Sequence, residues 1–472
     1  MNNRPSSQPN SLPLVSRRDM LSRTGTGFGM LGLASLLNAG EMAYGAKKTT
    51  GQKSASPTSN PLAPKKPHFA PKAKHVIFLF MNGGPSHVDT FDPKPKLKDY
   101  EGKKGKGGKY MPSPFQFKKQ GKSGIEVSDI YPHVGKVIDD ICVIRSMHTP
   151  TPNHEPGLFM MNSGVQQPTR PCLGSWLTYG LGSENQNLPG FLVLCPGKPV
   201  VGPALWSNSF LPGIYQGTHI NNSRIDPKKV IGHLNNRHLS QSSQRRLLDL
   251  MQAMNRKHLE QRGRDNNLEA RIESLEMAYR MQFEAQTAFD ISRESATVRK
   301  QYGSGQFADG CLIARRLVER GVRMVQLYYG SGQPWDAHGD IMNHKRDALK
   351  SDQPIAALIR DLKSRGLFDE TLIIWGGEFG RTPTAQGSKG RNHHNTGFTV
   401  WLAGGGVKGG MTYGATDELG VNAIHNRVSV HDLHATILHL LGMDHEKLTY
   451  RYSGRDFRLT DVHGEIIKDI LA

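Results

Sequence analysis

The chain has 472 residues, of which 36% are hydrophobic, with 52 glycines, 28 prolines and four cysteines. Apolar content at this level excludes a disordered chain, the glycines lack the three-residue period of collagen, and so few cysteines exclude a disulfide scaffold. Sixty Lys and Arg against 41 Asp and Glu give a formal net charge of +19, and two segments supply most of it.

The first basic segment is residues 1–74, with 11 Lys and Arg and two acidic residues. Ser16-Arg17-Arg18-Asp19-Met20-Leu21 is a twin-arginine pattern. A weakly apolar stretch follows from Gly25 to Leu37, and the small residues Ala43, Gly45 and Ala46 offer a cleavage point. This order of parts predicts a twin-arginine signal over residues 1–46, hence export to the periplasm or beyond. Residues 47–74, rich in Lys, Pro, Ser and Thr, read as a flexible linker. A single α/β domain is expected over residues 75–472. No apolar run reaches the roughly 18 residues that a membrane helix needs.

His75–Met81 is a continuous apolar run, as suits a central strand buried on both faces. The second basic segment, residues 91–124, holds ten Lys and three acidic residues. No recognition motif or aromatic interleaving accompanies it, so nucleic acid is not expected as a partner. The segment reads as a solvated loop able to meet an anionic surface or polymer. Ile141–Ile144 and Phe191–Leu194 are further short buried strands. Residues 240–300 are polar with helical period, marked by Leu247, Leu248, Met251 and Met254, and predict a helical excursion over the core. Then helix and strand alternate: helix 307–321, strand 322–329, helix 354–365, strands 371–375 and 399–402, helix 430–441. Alternation of this kind predicts a mostly parallel sheet with helices on both faces.

Ligands of such sheets sit at the carboxyl ends of the strands. There the sequence places Asn82, His87 and Asp89; His148 and His154-Glu155; Trp335-Asp336-Ala337-His338 and His344; Glu378-Phe379-Gly380-Arg381; and His393-His394. Imidazole with carboxylate suits zinc, manganese, iron or nickel, whereas oxygen-rich sets suit calcium or magnesium. Asp336 and His338 alternate about Ala337, so an extended loop points both the same way. There is no HExxH or paired CxxC, which excludes a closed thiolate zinc site. His431, His434 and His439 have helical spacing and read as packing residues.

These residues carry a family resemblance. The markers are Phe80-Met81-Asn82-Gly83-Gly84-Pro85-Ser86-His87-Val88-Asp89, Trp335-Asp336-Ala337-His338, Glu378-Phe379-Gly380-Arg381-Thr382-Pro383, and Leu402-Ala403-Gly404-Gly405-Gly406-Val407. With the leader they resemble an exported, sulfatase-like bacterial family of uncharacterised function within the alkaline phosphatase superfamily. The resemblance implies a metal-dependent hydrolase of sulfate or phosphate esters, with the metal (zinc, calcium, magnesium or manganese) at the strand ends. It implies ligand roles for Asn82, Asp336, His338 and Glu378, and for His393 or His394. Phe379 stands where a histidine ligand belongs. A Cys/Ser-x-Pro-x-Arg motif is absent: Cys172 lies in Pro171-Cys172-Leu173-Gly174-Ser175. The nucleophile position falls near His154, which can attack phosphorus, act as acid or base, or bind metal. Thr151 and Ser86 are the nearest hydroxyls. Arg381 is expected to bind the anionic group of the substrate, an ester that can belong to a sulfated or phosphorylated polymer. The alternative readings are a non-catalytic anionic-polysaccharide or envelope-binding protein on a degenerate hydrolase fold, and a structural role in the envelope.

Overall fold

A computed structural model describes residues 60–225, 240–262 and 266–472. The expected signal, residues 1–46, and the linker up to residue 59 lie outside the described residues. Residues 60–74, the last part of that linker, lie against the folded body. Leu62 is buried, Lys65 N–H donates to Leu181 O (2.9 Å), and Lys72 N–H donates to Leu440 O (2.8 Å).

The core is one nine-stranded sheet. Its strands are β1 (His75–Phe80), β2 (Ile141–His148), β3 (Phe191–Leu194), β4 (Thr218–Ile220), β5 (Met324–Tyr328), β6 (Thr371–Gly376), β9 (Phe398–Ala403), β10 (Met411–Tyr413) and β11 (Val428–Ser429). Strands β7 (Gly380–Gln386) and β8 (Gly390–His394) form a separate antiparallel hairpin. The order is β10-β2-β9-β6-β1-β5-β3-β4, with β11 paired to β2. β1 runs parallel to β5 and β6, and β3 to β4 and β5. β9 alone is antiparallel to its sheet neighbours. The mixed, mainly parallel α/β architecture is the expected fold class. Every residue of β1, β3, β5, β6 and β9 is buried, because helices cover both faces, and each buried Val, Leu, Ile or Phe contributes about 1.5–3 kcal/mol.

The helices are α1 (His154–Ser163), α2 (Leu173–Leu181), α3 (Gln241–Arg262), α4 (Asn266–Ala288), α5 (Ala296–Tyr302), α6 (Gln306–Val318), α7 (Asn343–Ser364) and α8 (Val430–Leu440). α3 and α4 are the helical excursion. They are tied by a forked ion pair from Arg245 to Glu276 (2.9 and 2.6 Å), and α4 buries Met277, Met281 and Ala285 in the core. α7 begins eleven residues before Pro354, the expected start, and keeps Pro354 inside. Its first half buries His344, Asp347, Ser351 and Asp352 at helical spacing, so a polar buried face hides the period. The buried carboxylates are used: Asp352 accepts from His133 N–H and Val134 N–H (2.7 and 2.6 Å), and Asp347 from the Tyr329 hydroxyl (3.1 Å). No helix among the described residues is long and apolar enough to cross a membrane.

Candidate metal centre

The carboxyl ends of β1, β2, β5 and β6 converge, as the parallel order requires. β1 leads into the turn Asn82-Gly83-Gly84, where both glycines have positive φ (113° and 82°). A Cβ on Gly83 would stand 2.6 Å from Asp336 N, so glycine lets this turn press against the loop that carries Asp336. Asn82 fixes that loop from below. Its Nδ2 donates to Gly330 O (2.9 Å) and Gly332 O (2.5 Å), and its own carbonyl accepts from Trp335 N–H (3.2 Å).

The hairpin β7–β8 supplies the opposite wall. Arg381 pairs in register with His393. Gly390 is required by close approach, since a Cβ there would stand 1.6 Å from His338 O, and Arg391 N–H donates to Ala337 O (3.1 Å).

Four side chains meet between these walls. Ligand-type atoms of His154, Asp336, His338 and His393 all lie within 4.8 Å of one another. Asp336 Oδ1 is 2.9 Å from His338 Nε2 and 3.3 Å from His393 Nε2, and those nitrogens are 2.8 Å apart. Donors about 2.0–2.1 Å from a tetrahedral zinc stand about 3.3 Å apart, so this triangle needs only a slight opening to seat an ion. His154 Nε2 is buried and faces Asp336 Oδ2 at 3.4 Å. The residues present therefore fit a divalent metal.

The remaining expected ligands lie elsewhere. Glu378 is fully buried behind His154: its Oε1 accepts from His154 Nδ1–H (2.7 Å), and both its oxygens accept from Gly83 N–H (3.0 and 3.2 Å). It orients an imidazole and is not one of the four clustered donors. His394 is a correction too. Successive strand side chains point to opposite faces, so His393 and His394 cannot both enter one site. His394 stacks on His87 (5.7 Å, 12°) and its Nε2–H donates to Val421 O (2.6 Å). Asn82 is a loop brace, as above. Arg381 is not free to bind substrate: its Nε donates to Gly84 O (3.0 Å), its Nη2 donates to Gly83 O and pairs with Asp336 Oδ1 (2.6 Å), and the guanidinium is fully buried. Phe379 packs against both the His154 and His393 rings (4.9 and 4.8 Å), which themselves meet edge-on at 4.2 Å.

Ionisation follows this geometry. Burial opposes the charge on Asp336, but His154, His393 and the Arg381 guanidinium outweigh it and hold the carboxyl far below the usual range. Burial also opposes protonation of His154, and the carboxylates Asp336 and Glu378 outweigh it, raising its pKa. A carboxylate on one ring nitrogen of a histidine fixes its tautomer and the direction of the other nitrogen. Glu378→Gln is therefore expected to lower the His154 pKa, as read by NMR titration, with the fold and metal content retained. An unchanged His154 pKa would remove Glu378 from this role.

Other candidates carry less. All four cysteines are buried, and burial raises the Cys172 thiol, which lies 3.3 Å from Ser175 Oγ. A cavity of about 670 Å³ lined by His148, His431, Asp432 and His463 contains none of the four clustered donors. His431 and His434 donate to the carbonyls of Gly164 (2.7 Å) and Met161 (3.0 Å), and His439 packs on Phe69 (4.9 Å), as packing residues do.

Among solved structures, a sulfatase from Pseudoalteromonas sp. is similar at 13% identity, over 79% of this chain and 68% of that one, with a TM-score of 0.35. A phosphonate monoester hydrolase from Silicibacter pomeroyi is similar at 12% identity, over 78% and 73%, with a TM-score of 0.35. A protein in the alkaline phosphatase superfamily from Vibrio parahaemolyticus is similar at 11% identity, over 81% and 70%, with a TM-score of 0.34. No curated protein matches the chain. A protein family of unknown function, DUF1501, matches residues 73–471, and the chain belongs to it.

Proposed function

We propose that the protein is an exported metal-dependent hydrolase of a phosphate or sulfate ester. The observation that supports this most is the triangle of Asp336, His338 and His393 donor atoms, 2.8 to 3.3 Å apart, with His154 beside it. Two imidazoles with one carboxylate favour zinc or manganese over calcium or magnesium, which take oxygen cages. The ester class comes from the motif resemblance and agrees with the local field. His154 opens the ten-residue helix α1, and a helix N-terminus favours an anionic group.

In this reading Asp336, His338 and His393 hold the ion, which when bound supplies Lewis-acid stabilisation of charge on the ester oxygens. His154 works beside it as acid and base. Glu378 accepts from Nδ1–H and so presents Nε2 to the reacting group. Neutral Nε2 takes a proton from the attacking water as its oxygen bonds to phosphorus or sulfur, and the protonated Nε2 then gives that proton to the leaving oxygen as the ester bond breaks. Arg381 holds Asp336 in place, and Phe379 keeps water from the back of both imidazoles. The His338 side is the most open, with about a third of that side chain exposed (34%), and admits the substrate.

Metal analysis of protein purified without chelators tests the reading. About one equivalent of zinc or manganese is expected in the parent, none in His393→Ala, and the parent value in His394→Ala. Turnover of phosphate and sulfate esters with that metal then follows. A well-folded parent that neither holds nor takes up metal would overturn the hydrolase and point to a binding protein on the same fold.

A further inference from the structure

Resting on that reading, we infer that the lysine-rich segment is an exosite for a linear polyanion, a sulfated or phosphorylated polysaccharide, continuous with the metal centre. The placement carries this. Lys104–Gly105 and Gly108–Lys109 form a small antiparallel ribbon. The chain leaving it lies along β7: Tyr110 bridges to Thr384, Met111 N–H donates to Pro383 O (3.0 Å), and Thr384 Oγ1 donates to Lys106 O (3.2 Å). The chain leaving the ribbon thus runs beside β7, and β8 carries His393. Two strand spacings, about 10 Å, separate that chain from β8, with the lysines beyond its Thr384 end.

Lys103, Lys104, Lys106 and Lys109 are exposed there, and so is Lys389 at the turn of the β7–β8 hairpin. None of the five makes an ion pair among the described residues, although Asp99 and Glu101 lie in the same stretch. Unopposed like charges on one ribbon repel each other, and a polyanion laid across them removes that repulsion.

The surface suits a glycan better than a nucleic acid. Base recognition needs open aromatic faces. The Tyr100 ring is covered by Lys103 Nζ (4.7 Å) and meets Tyr110 edge-on (5.8 Å, 77°). No large apolar side chain is exposed between residues 70 and 199, so nothing there inserts into a lipid surface. Ammonium groups alone read ester oxygens by charge and spacing.

The test compares the parent with the fourfold variant K103Q/K104Q/K106Q/K109Q. The probes are dextran sulfate, neutral dextran and a single-stranded DNA oligonucleotide of equal charge. Expected are binding of dextran sulfate but not dextran by the parent, and an affinity about tenfold lower in the variant at about 0.1 M salt. Metal content and melting temperature should match the parent. Equal binding by the variant would overturn the exosite, as would tighter binding of the DNA. A metal-free parent that still binds dextran sulfate through these lysines would support the exosite and overturn the hydrolase, so the two ideas fail separately.

Discussion

Asp336→Ala is expected to abolish metal uptake and to lower the unfolding free energy by about 3–5 kcal/mol. Both effects come from one carboxylate with two duties. Oδ1 faces His338 and His393 and also pairs with the Arg381 guanidinium at 2.6 Å. Arg381 is fully buried, and no other carboxylate pairs with it among the described residues. Removing Asp336 strands a charge in the interior, where an unpaired ion is costly. Against a typical total of about 5–15 kcal/mol, that is a large share. Asp336→Asn separates the duties. Its oxygen can still accept from Arg381, so the stability loss should be well under half as large, while the ion loses its anionic ligand. Urea unfolding in chelator, beside metal analysis, reads both. Full metal occupancy in Asp336→Ala would overturn the assignment of the site.

Asp89→Ala is expected to cost a similar 3–5 kcal/mol, for a related reason. Asp89 and Arg391 are both fully buried. Arg391 Nε donates to Asp89 Oδ2 at 2.6 Å and Nη2 to Oδ1 at 3.2 Å, and Ser86 Oγ adds a bond at 2.5 Å. Arg391 also donates to Met111 O (3.0 Å) and Thr382 O (3.1 Å). The pair therefore joins the β1 loop, the β7–β8 hairpin and the lysine-rich segment. Burial raises the Asp89 pKa, but Arg391, Ser86 and Ser113 outweigh it, and the net shift is downward. A depressed folded pKa means the contribution is complete above the unfolded value of about 3.9 and is lost as pH falls through the lower folded value. The parent should lose this part of its stability only below about pH 4. Asp89→Ala should start lower and show a shallower acid slope in that window. Identical acid slopes for parent and variant would show that the pair does not set the acid limit.

Much of the fold was legible because its signal is local. Continuous apolar runs at His75–Phe80, Phe191–Leu194 and Thr371–Gly376 can be stable only as strands covered on both sides. The helices at 306–318 and 430–440 show ordinary apolar spacing. The hairpin β7–β8 was missed, because its residues serve a site and carry little strand-like pattern; the Gly387-Ser388-Lys389-Gly390 turn was the available clue. The first half of α7 was missed because its buried face is polar.

For the site, the sequence by itself determined which loops would meet: parallel strands point their carboxyl ends the same way, and five of those ends carry His, carboxylate or amide groups. It also determined that Asp336 and His338 share a side, since they alternate about Ala337. Only the tertiary structure decided the rest. It chose His393 over His394 through the pleat of β8. It moved Glu378 behind His154, turned Arg381 inward onto the Gly83-Gly84 turn, and set the lysine-rich ribbon along the hairpin that carries a ligand. Each of those choices depends on residues hundreds of positions apart meeting within a few ångströms, and a linear pattern does not encode the pairing partner of a side chain.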